Sequence, residues 1–335
     1  LGRIQNPERP QGYTLACFES PWGRGNKVIA IAGTDPAGVL YGVEEFNAHF
    51  LDGNLVVDHP GRLREALDSI GAFRASDFPL VENRGIWTWG YVVYDYRRFL
   101  DNMARLKMNC LTLWNDCPPL NAPQLIEYAH SRGIQIVMGF HWGWGIEGLN
   151  PSSPEDLEKT VAEVRANYRQ NYHPLAIDGI YFQTFTETYD TRMQNRSIAS
   201  LACQWVNRIA ASLYEINPAL SIQFGLHATS IVENYPELKS LDPRITIAWE
   251  DAGAVPYSYE PVTDLRPLGF KKPEGLLTWE STVDYSRRLV NFRENREFAM
   301  VPKGFTALRW DTEFEHHGPF LLGERDQDWI AKRLR

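Results

Sequence analysis

Several acidic residues each close a short apolar stretch. Glu187 follows residues 180–185 in Thr-Phe-Thr-Glu-Thr, Glu250-Asp251 follows residues 245–249, and Glu280 follows residues 275–279. Carboxyl pairs brought together from separate strand ends are what cleavage of a glycosidic bond needs. One acid protonates the leaving oxygen, and a second carboxylate activates water or attacks the anomeric carbon. An apolar wall beside Glu187 would raise its carboxyl pKa toward the range a general acid uses. Glu187, Asp251 and Glu280 are therefore the candidate catalytic residues. Asp311 and Glu313 are weaker candidates, and Asp116 and Glu147 suit substrate contact or solvated loops.

Aromatic residues share these positions. Of the 11 Trp, eight (Trp87, Trp89, Trp114, Trp142, Trp144, Trp249, Trp279 and Trp310) stand at or just past the ends of apolar runs, leaving Trp22, Trp205 and Trp329 elsewhere. Flat rings suit the C–H faces of sugars, while hydroxyls need polar partners. His141, His227 and Arg309 supply such partners, with Arg84 and Lys303 as further cations. An arginine fork would best hold a uronic carboxylate.

Other chemistries find less support. The four cysteines, Cys17, Cys110, Cys117 and Cys203, have no CxxC spacing, there is no HExxH, and His316-His317 is an adjacent pair. No metal site and no cofactor is expected. With 34 basic and 42 acidic side chains the net charge is −8, the wrong sign for a nucleic-acid partner. No apolar run approaches membrane-span length. The N-terminal Leu-Gly-Arg-Ile-Gln carries no signal pattern and reads as trimmed or mature, so compartment and oligomeric state are not legible. Action on polysaccharide would favour a periplasmic or secreted setting.

The elements that must position these residues alternate. From residue 84, strands are expected at 84–91, 109–115, 133–141, 179–187, 220–227 and 245–251, with amphipathic helices between them. Asn121 and Ser153 are placed to cap two of the helices. The seventh strand is either 275–280 or 305–311. Repeated βα units with apolar strands and no Gly-rich dinucleotide fingerprint point to an α/β fold, a (β/α)8 TIM barrel over 81–335 that lacks its last strand if 305–311 is the seventh. Residues 1–80 read as a small α/β domain. It has strands at 12–19 and 27–33, a helix capped by Thr34 or Asp35 that buries Val39, Leu40, Val43, Phe46 and Phe50, a short strand at 54–58, and a helix over 62–73.

Two stretches extend this reading. Val28-Ile29-Ala30-Ile31-Ala32-Gly33 followed by Gly38-Val39-Leu40-Tyr41-Gly42 resembles the small domain preceding the barrel in α-glucuronidases of glycoside hydrolase family 67. Related modules precede the barrels of family 20 hexosaminidases and family 115 enzymes. Arg84-Gly85-Ile86, with the run from Asn102 to Asn109 after it, is similar to the opening of those barrels. The resemblance implies an inverting enzyme with a Glu acid followed in the chain by an Asp and a Glu as base candidates, the order of Glu187, Asp251 and Glu280. Thr186 stands where family 20 has the Asp of its Asp-Glu pair, which argues against substrate-assisted chemistry. The expected activity is hydrolysis of a poly- or oligosaccharide, with a uronic acid as one candidate sugar. A retaining glycosidase using Glu187 and Glu280 and a non-catalytic carbohydrate-binding barrel remain the alternatives.

Overall fold

The computed structural model describes residues 8–23, 25–51, 60–88, 95–114, 117–139, 148–183, 186, 188, 190–227, 230–231, 234–250, 287–288, 291 and 296–301. The described residues form two main sheets.

The first sheet is antiparallel and belongs to the N-terminal module. β1 (Tyr13–Glu19) is central, flanked by β2 (Lys27–Gly33) and, after α1 (Pro36–Phe46) and α2 (Pro60–Ser69), by β3 (Phe73–Asp77). Asp35 caps α1, its Oδ1 accepting from the Gly38 N–H at 2.8 Å, with Pro36 in the first turn where its missing N–H costs nothing. Of the face expected to be buried, Phe46 is buried and Leu40 and Phe50 pack against the module's core, but two positions differ. Val39 and Val43 are exposed, and Gly38, Tyr41, Gly42 and Phe46 face inward. The reason is clearance. A Cβ on Gly38 would collide with the Gly12 carbonyl, and one on Gly42 with Ile31 Cγ2, so glycine lets the helix settle onto the sheet. The second helix ends at Ser69, and residues 73–77 are a strand rather than a helix end. The expected strand at 54–58 lies outside the described residues.

The second sheet has seven parallel strands in chain order. It runs β4 (Gly85–Trp87), β5 (Cys110–Trp114), β6 (Gln135–Gly139), β7 (Gly179–Gln183), β10 (Ser221–Leu226), β11 (Ile245–Trp249) and β12 (Phe298–Met300). The numbers β8 (Arg192–Met193) and β9 (Arg196–Ser197) belong to a small hairpin after β7. Helices α3 (Tyr96–Arg105), α4 (Ala122–Ser131), α5 (Pro154–Asn167) and α6 (Ile198–Tyr214) fill four of the crossovers. Ser153 caps α5 as expected, whereas Asn121 makes no side-chain cap to α4. Strand β12 pairs with β11 through three residues, Ile247–Phe298, Ala248–Ala299 and Trp249–Met300. Neither proposed seventh strand predicted it, because a three-residue strand is too short to leave a periodic signal.

Single winding in chain order, with no reversal, separates this sheet from a doubly wound one. The sheet is also curled. Trp87 on β4 lies 4.3 Å from the Tyr181 ring on β7, and Trp114 on β5 lies 5.0 Å from the same ring. On a flat sheet β4 and β7 would stand roughly 14 Å apart, at about 4.8 Å per strand, with side chains perpendicular to the plane.

Curling separates two cores. The outer face packs Leu111, Leu113, Ile136, Met138, Ile180, Phe182, Ile222, Phe224, Ile245 and Ile247 against the helices. The inner face gathers Val137, Tyr181 and Ala248 with Trp87, Cys110, Trp114 and Ala299. No helix among the described residues is long and apolar enough to cross a membrane.

The module and the sheet meet at the N-terminal ends of the parallel strands, where Arg84 uses all five guanidinium N–H groups. Nε donates to the Lys107 carbonyl at 2.7 Å, Nη1 to the carbonyls of Val81 and Glu82, and Nη2 to Gln11 Oε1 at 2.9 Å and Tyr41 Oη at 3.0 Å. Lys107, at φ +57°, reaches the same module through Glu45 Oε2 and Tyr13 Oη, each at 2.7 Å. Arg84 precedes β4, so it stands at the end opposite the strand C-termini. It is a joint between sheets and not the mouth cation the sequence suggested. Arg84→Lys keeps the charge and loses the planar fork. It is expected to lower unfolding stability by about 1–3 kcal/mol in a denaturant titration. Any preference between a glucuronide and the matching glucoside should stay unchanged.

Candidate active site at the strand C-termini

Alternation along each strand decides which side chains reach the inside of the curl. On β7, Tyr181 and Gln183 face inward while Ile180 and Phe182 face the helices. On β10, Gly225 and then His227 share the inward phase, with Phe224 and Leu226 outward. On β11, Ala248 and then Glu250 follow the inward phase, with Ile247 and Trp249 outward. The residue just past β11 stays in register, since the Glu250 N–H donates to the Leu226 carbonyl at 3.1 Å.

Three of these side chains meet. His227 Nε2 lies 3.3 Å from Glu250 Oε2, Gln183 Nε2 lies 3.5 Å from the same oxygen, and Gln183 Nε2 also contacts His227 Nε2. Glu250 is 1% exposed and His227 6%. A carboxylate at that depth is tolerated only with polar partners around it, which Gln183 and His227 supply. Gly225 makes the space. A Cβ there would overlap the Tyr181 hydroxyl and Glu250 Oε1, so both atoms converge over a residue with no side chain. Gly139 does the same for the Trp114 ring. The Tyr181 hydroxyl is buried and has no hydrogen-bond partner among the described residues.

The rim beside this cluster is anchored. Thr186, fully buried, accepts through Oγ1 from the His227 N–H at 3.3 Å, and its carbonyl accepts from Ser230 Oγ at 2.6 Å. These bonds tie the segment after β7 to the segment after β10. The hairpin β8–β9 extends the tie, with Ser197 Oγ bonded to Glu237 in the segment beyond β10. The turn of that hairpin places Gln194 and Asn195 at φ +47° and +65°, the left-handed pair a two-residue connection requires.

The structure thus brings together Trp87, Trp114 and His227 from the sequence candidates. Trp249 is placed elsewhere. It is fully buried in the outer core against the helices, because its phase is that of Ile245 and Ile247. Catalytic candidates Glu187, Asp251 and Glu280 lie outside the described residues. So do Trp89, His141, Trp142, Trp144, Trp279, Arg309 and Trp310, together with Asp116, Glu147, Lys303, Asp311 and Glu313. Sequence reasoning named Glu250 only beside Asp251, and missed Tyr181 and Gln183. The signal was available in Thr246, Ala248 and Glu250, a phase of small or polar residues between large apolar ones.

Among the described residues no group of three or more His, Cys, Asp or Glu side chains is arranged to hold a metal ion. Cys110, toward the other end of the inner face, has its thiol pushed by burial from its ordinary 9.0 up to about 11, and Cys203 in the outer core shifts likewise to about 11. Two units on a thiol leave about a hundredfold less thiolate at pH 8. Alkylation of Cys110 and Cys203 in the native protein should therefore be about a hundredfold slower than in the denatured chain, read by mass spectrometry of quenched time points.

No family model and no curated protein matches the chain. Solved structures do resemble it in shape. One is a family 138 glycoside hydrolase targeting pectin rhamnogalacturonan II, 14% identical over 88% of this chain and 40% of that one, TM-score 0.49. Another is CpGH84B, 13% identical over 88% of this chain and 54% of its own, TM-score 0.49. A third is an exo-β-1,4-mannosidase from Opitutaceae bacterium strain TAV5, 14% identical over 65% of this chain and 51% of that one, TM-score 0.38. The chain thus spans about half the length of these proteins or less. At TM-scores below 0.5, none of these likenesses assigns a family or an activity to it.

Proposed function

We propose that the chain is a glycoside hydrolase that cleaves a glycosidic bond in a poly- or oligosaccharide through an inverting, two-carboxylate mechanism. The observation that carries the reading is the inner face at the strand C-termini, where Trp87, Trp114 and Tyr181 form an aromatic wall beside the Gln183–His227–Glu250 cluster. Chemistry in parallel barrels belongs at this end, and a sugar needs both kinds of surface. In this reading the seven-stranded sheet is the larger part of a (β/α)8 barrel over residues 81–335, with residues 1–80 as a separate small domain.

Glu187 is the general acid, one residue beyond the anchored Thr186 and four beyond Gln183. Asp251, next to the inward-facing Glu250, or Glu280 is the base. An inverting pair needs room for water between its carboxyl groups, a separation of ~6.5–9.5 Å. His141, Trp89, Trp142, Trp144, Trp279 and Trp310 complete the sugar-binding surface. A uronic-acid specificity, the α-glucuronidase-like form of the proposal, rests on Arg309, since Arg84 is engaged at the other end of the sheet.

The test is hydrolysis of an aryl-glycoside panel containing matched glucuronides and glucosides, with proton NMR of the first-formed anomer. Turnover with inverted product is expected. Retention would replace the mechanism with one using Glu187 and Glu280 at ~5–5.5 Å. Sugar binding without turnover by the native protein would overturn the enzyme reading in favour of a carbohydrate-binding barrel. A preference for glucoside unaffected by Arg309→Ala would remove the uronic acid.

A further inference from the structure

Tyr181 belongs to both halves of the inner face. Its ring, 0% exposed, meets Trp87 of β4 at 4.3 Å with 63° between planes, and Trp114 of β5 at 5.0 Å with 69°. Edge-to-face contact at such separations is a favoured aromatic geometry, and both tryptophans stay partly buried around this one enclosed ring. The far end of the side chain crosses to the other half. Strand β10 runs between β7 and β11, with Gly225 beside Gln183 on one side and Ala248 on the other. Tyr181 Oη reaches from β7, and Glu250 Oε1 from just past β11, into the space that a Cβ on Gly225 would fill. The other carboxylate oxygen, Oε2, is the one that faces His227 and Gln183.

We propose that Tyr181 is a positioning residue that joins the two halves, its ring setting the angle of Trp87 and Trp114 and its hydroxyl donating to Glu250 Oε1. In the static arrangement Tyr181 Oη has no hydrogen-bond partner among the described residues. A buried hydroxyl left so costs about as much as a lost hydrogen bond. Its hydrogen turns about the C–O bond, and a carboxylate oxygen has lone pairs for more than one donor. A small turn of either group within the room left by Gly225 makes the bond, whichever ring nitrogen of His227 carries the proton. A hydrogen bond to a charged acceptor is stronger than one between neutral groups. The carboxylate is then held from two sides, by the cluster at Oε2 and by the phenol at Oε1. This placement needs no ligand. Its consequence for turnover deepens the hydrolase reading and rests on it.

Tyr181→Phe keeps the ring and removes only the hydroxyl, so denaturant unfolding of the full chain reads the bond by its sign. A hydroxyl that donates to a carboxylate makes the variant less stable, with the folded-to-unfolded ratio down about tenfold. In a double-mutant cycle with Glu250→Met, most of that loss should disappear once the acceptor is gone. A midpoint that rises or stays, the sign for removing a hydroxyl with no partner, would overturn the hydroxyl's role without Glu250→Met needing to fold. So would additive losses in the cycle. Near-ultraviolet circular dichroism reads the ring. The tryptophan bands should persist in Tyr181→Phe and diminish in Tyr181→Leu. Unchanged bands in the Leu variant, or their loss in the Phe variant, would overturn the ring's role. On any glycoside the protein turns over, Tyr181→Phe should lower kcat about tenfold with KM little changed, whereas Tyr181→Leu should raise KM. Failure of the wild type to hydrolyse any glycoside would sink the hydrolase reading, and unfolding and dichroism would still decide the role of Tyr181.

Discussion

Glu187→Gln is expected to lower kcat on natural glycosides by ~10²–10⁴-fold, the range general acid catalysis contributes. The loss should shrink sharply on aryl glycosides whose leaving groups need no proton, because only the protonation of the departing oxygen is removed. Equal losses on both substrate types would take Glu187 out of the acid role. Gln keeps the size and shape of the side chain, so thermal unfolding of the variant should match wild type closely. The anchoring around Thr186 supports that expectation. Its carbonyl and hydroxyl are already committed to Ser230 and to the His227 backbone, so the place of Thr186 does not rest on the next residue's carboxylate. A catalytic acid must sit within hydrogen-bond reach of one oxygen in a bound sugar.

What the sequence disclosed depended on how many residues shared each signal. The parallel sheet was legible because β5, β6, β7, β10 and β11 are rich in apolar residues, largely buried on both faces, and are separated by turns and amphipathic helices. Continuous burial hides phase, however. Where both faces are covered, Trp114 and Trp249 look alike at the ends of their runs, although one faces the curl and the other the helices. Small residues break the tie, as Thr246 and Ala248 do for Glu250 and as Gly225 does for His227. A hydrophobic count passes over them. The same blindness affects α1, where Gly38 and Gly42 rather than Val39 and Val43 meet the sheet, since close backbone approach is a property of absent side chains. Strands β3 and β12 escaped for a different reason. β3 is mostly polar and exposed, so it carries no apolar run, and β12 has only three residues; pairing to β1 and β11 makes them strands. Arg84 was misplaced because it stands just before its strand, and in a parallel sheet the two ends of a strand do different work.

Trp249→Ala and Trp114→Ala should consequently fail in different ways. Trp249 is fully buried between β11 and the helices, among side chains such as Ile245 and Ile247. Removing its indole there leaves a cavity that close-packed neighbours cannot fill, at a cost of about 3–5 kcal/mol in unfolding free energy. Sugar affinity of the fraction that remains folded should change little, because no part of that ring faces the inside of the curl. Trp114 is half-buried on the inner face, edge-on to Tyr181 at 5.0 Å, with Gly139 leaving room for its ring. Its loss exposes a shallower gap, so the stability penalty should be the smaller of the two. The binding penalty should be the larger, because an aromatic face available to a sugar has gone. Denaturant unfolding and ligand titration on the same two variants separate these outcomes. Loss of sugar binding in Trp249→Ala at full stability would mean that β11 presents the opposite phase to the interior. Glu250, one residue further along, would then leave the site with it.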